Sequence, residues 1–124
     1  MKRLYFLLVC TALLSAFTLL SDIDNVVNAM KSGDAAQVAT FFDDKVEITI
    51  TEKTNSYTKA QAQTVLQNFF SSNPVKGFDI IHKGGNDGSE FCIGTLQTAK
   101  GAFRTTIFMK QKVGGEVLQE IKFE

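Results

Sequence analysis

The chain has 124 residues, 44% hydrophobic and 21% charged, and its 13 basic and 13 acidic side chains cancel at neutral pH. That length allows one domain, and the absence of a long basic run argues against a nucleic-acid footprint. With a single histidine, His82, a two-histidine metal site is impossible.

The N-terminus reads MKRLYFLLVCTALLSAFTLLSDIDN. Lys2 and Arg3 precede an uncharged apolar run from Leu4 to Leu20, the plan of a secretory signal peptide at or below the length that spans a bilayer. The small-x-small cleavage pattern is missing: Ala16 has Leu14 two positions earlier, and Ser21 has Leu19. An uncleaved N-terminal membrane anchor is therefore the alternative. LLVC, ending at Cys10, resembles a lipoprotein box, but Val9 is large for that position and the stretch before it is short. The expected organisation is a leader over 1–21 and one α+β domain over 22–124, periplasmic or secreted. Losing Lys2 and Arg3 leaves 11 basic against 13 acidic residues, a net charge of about −2. The domain keeps one cysteine, Cys92, so no internal disulfide is available, and a thiol inside a strand reads as a small buried hydrophobe.

Ile23, Val26, Val27 and Met30 fall at i, i+3, i+4 and i+7, one face of a helix. Ser21 or Asp22 caps it and Gly33 stops it. Asp34 then caps a second helix that buries Val38, Phe41 and Phe42. In KVEITITEK the period becomes two, with Val46, Ile48 and Ile50 on one face of a strand. TNSYT turns into a short return strand. Ser56 or Thr58 opens a third helix with Ala62, Val65, Leu66 and Phe69 as its apolar stripe, ended at Asn73–Pro74. GFDIIHK, SEFCIGTLQT, AFRTTIFMKQK and EVLQEIKFE are four strands with short glycine-bearing connectors, as antiparallel hairpins require.

Helices first and a meander last predict N-terminal helices on one face of a curved antiparallel sheet. The order of elements resembles the nuclear transport factor 2-like cone shared by ketosteroid isomerase and scytalone dehydratase; a cystatin-like sheet wrapped on one helix is the alternative. HKGGNDGSEFCIGTLQTAKGAFRTTIFMKQKVGGEVLQEIKFE is similar to the C-terminal half of a small family of exported bacterial proteins of unknown function, in which an HKG…IGTL.T..G.FR…F.KK pattern recurs. That resemblance implies the cone fold and an export route, and it carries no catalytic residue.

The residues call for no cofactor or metal. There is no Gly-x-Ser-x-Gly elbow, Cys-His pair or phosphate loop, and GGNDG, with Asp87 as its one carboxylate, reads as a turn rather than a calcium loop. Enzymes of the resembled fold place acid–base groups inside the cone. Asp79, Tyr57 and His82 are the residues available for a small lyase- or isomerase-type activity, but an unbroken strand period points Asp79 and His82 to opposite faces.

With a two-residue period kept throughout, Phe78, Ile80, Phe91, Ile93, Phe103, Ile107, Ile121 and Phe123 share the face that meets the helices. Four polar groups are set among them, His82, Thr95, Thr105 and Gln119, and such an apolar wall with few polar groups describes a pocket for a small apolar ligand. The opposite face presents an apolar band with Ile81, Leu96, Arg104, Phe108 and Leu118, the expected interface for a protein partner, most simply a second copy in a homodimer. Arg104 and Glu120 are placed there as a cross-strand pair. The reading is a non-catalytic exported domain that binds a ligand or partner; the alternatives are the acid–base enzyme and a purely structural homodimer with a filled core.

Overall fold

The computed structural model describes residues 21–124. The leader, its cleavage point and Cys10 lie outside the described residues. Among those described, no helix is long and apolar enough to cross a membrane.

Helix α1 (Asp22–Lys31) begins at Ser21, whose hydroxyl accepts the Asp24 amide at 3.4 Å, and it buries the predicted stripe of Ile23, Val26, Val27 and Met30. Gly33, at φ +64°, turns the chain into the short helix α2 (Ala35–Ala39), capped by Asp34. The chain is extended sooner than the sequence suggests. Phe42 is the first residue of strand β1 (Phe42–Ile50), not the end of a helix, and the adjacent Phe41 carbonyl accepts the Leu118 amide at 2.6 Å. Strand β2 (Lys53–Thr58) returns beside β1, and helix α3 (Lys59–Ser72) follows at once. A capping box sets its start: Thr58 accepts the Gln61 amide at 3.3 Å, and Gln61 accepts the Thr58 amide at 3.1 Å. Strands β3 (Val75–Asn86), β4 (Ser89–Thr98), β5 (Gly101–Lys112) and β6 (Gly115–Phe123) form the predicted meander.

All six strands make one sheet in the order β2-β1-β6-β5-β4-β3; β1 runs parallel to β6 and every other pair is antiparallel. With its helices packed on one face, this is the α+β cone. The space between helices and sheet is filled. Phe123 is completely buried and stacks on Phe69 at 4.2 Å between ring centroids, while Phe103 meets Phe69 edge-on at 5.2 Å. Met30, Leu66, Ile107, Met109, Leu118 and Ile121 are likewise fully buried around them, each stabilising the fold by about 1.5–3 kcal/mol.

Bulges break the two-residue period where a strictly alternating reading goes astray. In β3 the register shifts between Ile80 and His82, which face Gly94 and Ile93, so Ile81 is the extra residue. In β6 it shifts across from Phe108 and Met109, which face Glu120 and Leu118, so Gln119 is the extra residue. The phase of β4 is also opposite to the prediction: Cys92, Gly94, Leu96 and Thr98 face the helices, and Phe91, Ile93 and Thr95 face away.

Candidate functional site

The four polar residues expected to converge on a pocket do not meet; each sits in an environment of its own. Thr105 is fully buried in the core, and its hydroxyl donates to the Phe103 carbonyl at 3.1 Å. Thr95 lies on the opposite face, between Asp79 and Arg104. Gln119, displaced by the bulge, donates through Nε2 to the Asp43 carboxylate at 3.0 Å, beside the Lys112 ammonium at 2.7 Å. Those two donors, Lys112 first, hold the Asp43 carboxyl down at about 2. His82 is exposed on edge strand β3, its ring 5.5 Å from that of Phe91.

The acid–base residues do not assemble either. The bulge at Ile81 brings Asp79 and His82 to the same face, against expectation, yet no hydrogen bond joins them among the described residues. Tyr57 stands on β2, at the other end of the sheet, and packs against the core.

The expected partner face needs a different membership. Leu96 and Leu118 are fully buried on the helix side, where the reversed phase of β4 and the Gln119 bulge put them. Arg104 and Phe108 do face away from the helices, and Ile81 is 63% exposed at the β3 bulge. The Arg104–Glu120 pair does not form: Glu120 stands opposite Phe108 and meets Lys122 at 3.6 Å, while the Arg104 backbone pairs with that of Glu124.

What the outer face does hold is an apolar centre of Phe91, Ile93 and Phe108, all partly exposed. Phe91 and Phe108 are direct cross-strand partners. The Phe91 ring lies over Gly84 on β3, where an added Cβ would sit 2.7 Å from it. Beside Phe108 the surface dips into a hollow of about 270 Å³ bordered by Asp43, Lys45, Glu47, Gln119 and Glu120. The alternation of β4 contained this centre, but in the wrong phase. The signal that separates the phases is Gly94, the gap in the core that the Phe78 ring covers.

Helices on one face of a curved six-stranded sheet give the nuclear transport factor 2-like fold, and solved structures agree. An NTF2-like protein of unknown function from Cytophaga hutchinsonii superposes with a TM-score of 0.61 at 4% identity, covering 87% of this chain and 93% of the other, a likeness of fold alone. Residues 23–124 match the family described as a domain of unknown function, DUF4783, and the chain belongs to that family. Two members are similar throughout the domain. The protein from Bacteroides uniformis is 32% identical with a TM-score of 0.79, covering 82% of this chain and 94% of its own. The protein from Bacteroides fragilis is 35% identical with a TM-score of 0.76, covering 80% and 93%. No curated protein matches in sequence.

Proposed function

We propose that the chain is a non-catalytic exported domain that works by association, setting the outer face of its sheet against a second copy. The observation that carries this reading is the Phe91–Phe108 pair with Ile93, left partly exposed in one chain whose other sheet face is filled with side chains. A sheet face turned to water is ordinarily more polar, and a contiguous apolar centre with a charged rim is the usual plan of an interface. The rim carries both signs, with Lys45, Arg104 and Lys122 against Glu47 and Glu120. The lack of a convergent acid–base group and the packed space under the helices favour association over turnover of a substrate.

Native mass spectrometry of protein purified from its own cell envelope tests this. A dimer mass with no retained small molecule is expected. A monomer carrying a bound metabolite would replace the proposal with a ligand-binding one.

A further inference from the structure

Histidine ordinarily changes charge between about pH 5 and 8, a window that no other unperturbed side chain occupies, and this chain has one, His82. Its place is set by the bulge in β3. Unbroken alternation from Phe78, which is buried on the helix side, would send His82 to the helices as well; the extra residue Ile81 turns it to the outer face instead. Re-aiming a side chain is a common use of a bulge. On that face His82 is the direct cross-strand partner of Ile93, and its ring lies 5.5 Å from that of Phe91. Gly84 makes room for both rings: a Cβ there would sit 2.7 Å from the Phe91 ring and 3.5 Å from His82 Nε2. The same bulge leaves Ile81 63% exposed beside them. The apolar centre of Phe91, Ile93 and Phe108 therefore ends, on the β3 side, at an imidazole.

The chain's own charges do not compensate a positive charge on this ring. On β3, Asp79 shares the face, but no ion pair joins the two among the described residues; Lys83 points the other way and meets Asp24 of α1 at 2.6 Å. On β4 the outer residues are Phe91, Ile93 and Thr95, while Glu90 and Cys92 alternate to the helix side. Glu116 of β6 also lies on the helix side, toward Glu90 and Asp22. Arg104 and Lys110, the charges that β5 turns to this face, stand one strand further off and have the sign of an imidazolium.

We infer that His82 makes the association of the outer face with a second copy pH-dependent: the dimer is tightest with neutral imidazoles, and protonation weakens it. This regulation rests on the dimer proposed above. In a self-complementary interface each residue occurs twice, so two imidazoles are covered together. A neutral ring adds apolar area beside Phe91, whereas an imidazolium gives up its hydration against Phe91 and Ile93. The dimer is thus at full strength above the ordinary histidine range and loses strength as pH falls through it. Carboxylates ordinarily titrate below that window.

Sedimentation equilibrium of the wild type and of His82→Gln, each at about pH 8 and about pH 5.5, tests this. The wild-type dimer is expected to dissociate about tenfold more readily at the lower pH, a factor of about three from each of two imidazoles. His82→Gln, neutral at both values, should dimerise with affinities that agree to within about twofold. His82 is exposed, so its replacement leaves the core untouched, and the wild-type comparison uses no variant. A wild type that dimerises equally at both pH values, or more tightly at the lower one, overturns the inference and leaves the dimer standing. A His82→Gln protein that keeps the wild-type pH dependence does the same. A wild type that is monomeric at both values overturns the dimer and this inference together.

Discussion

On the helix side of the sheet, Ile107, Met109, Ile121 and Phe123 are completely removed from water, whereas on its other side Phe108, and Phe91 and Ile93 of the adjacent β4, remain partly exposed. Residues of the same kind thus do two jobs. The inner set joins the core beneath the helices and holds the fold together; among the described residues no helix covers the outer set. Under the helices this chain has Phe69 packed against both Phe103 and Phe123. That packing stabilises the fold, and the proposed association uses the other face of the sheet.

Substitutions on the two faces should therefore differ in kind. Phe123→Ala removes a fully buried ring from its stack on Phe69 and is expected to cost about 3–5 kcal/mol in urea unfolding. Phe108→Ala, on the partly exposed side, should cost about 1 kcal/mol or less in the monomer. Equal losses at the two positions would break the contrast. Gly94→Ala sharpens it, since the added Cβ would lie 2.5 Å from the Phe78 ring and 2.7 Å from the Asp79 carbonyl oxygen. We expect a loss of about 1–3 kcal/mol, measured in the same way, with the neighbouring Thr95→Ala close to neutral.

Smaller effects belong to the ties at the sheet's margins. Asp43 holds the bulged Gln119 and Lys112, and because its carboxyl is depressed to about 2 in the folded state, its contribution is present above the ordinary carboxylate range and is lost as pH falls through about 2. Asp43→Asn should be about 1 kcal/mol less stable at pH 7, a modest figure because Lys112 is solvent-exposed. The gap should close between about pH 4 and 2. Glu116 has the opposite sign. Burial first, then the Glu90 and Asp22 carboxylates, push its pKa up, and one of its oxygens is buried with no hydrogen-bond partner among the described residues. Its ionised form therefore opposes folding, and stability falls as pH rises through the ordinary glutamate range. Glu116→Gln should stabilise the protein by about 1 kcal/mol or less at pH 7, a gain that vanishes in thermal melts below about pH 4.

The architecture was readable because its signals are local and redundant. Ile23 to Met30 repeat at helical spacing, Thr58 and Gln61 form a capping box, and each hairpin of the meander has a glycine in or beside its connector. The faces were less readable. A single inserted residue such as Ile81 or Gln119 exchanges inside for outside along the rest of a strand, and nothing in IIHK or VLQE marks the insertion. In β4 both alternating sets are apolar enough to be core. Phe91 and Ile93 outweigh Cys92, Gly94 and Leu96 by hydrophobic area, yet the smaller set is inside because Phe78 fills the gap at Gly94.

Association through the outer face is tested most directly by sedimentation equilibrium over a wide concentration range. Wild-type protein should follow a monomer–dimer equilibrium, and Phe108→Asp should sediment as a folded monomer at every concentration. A wild type that stays monomeric, or a Phe108→Asp protein that dimerises as wild type does, would contradict it.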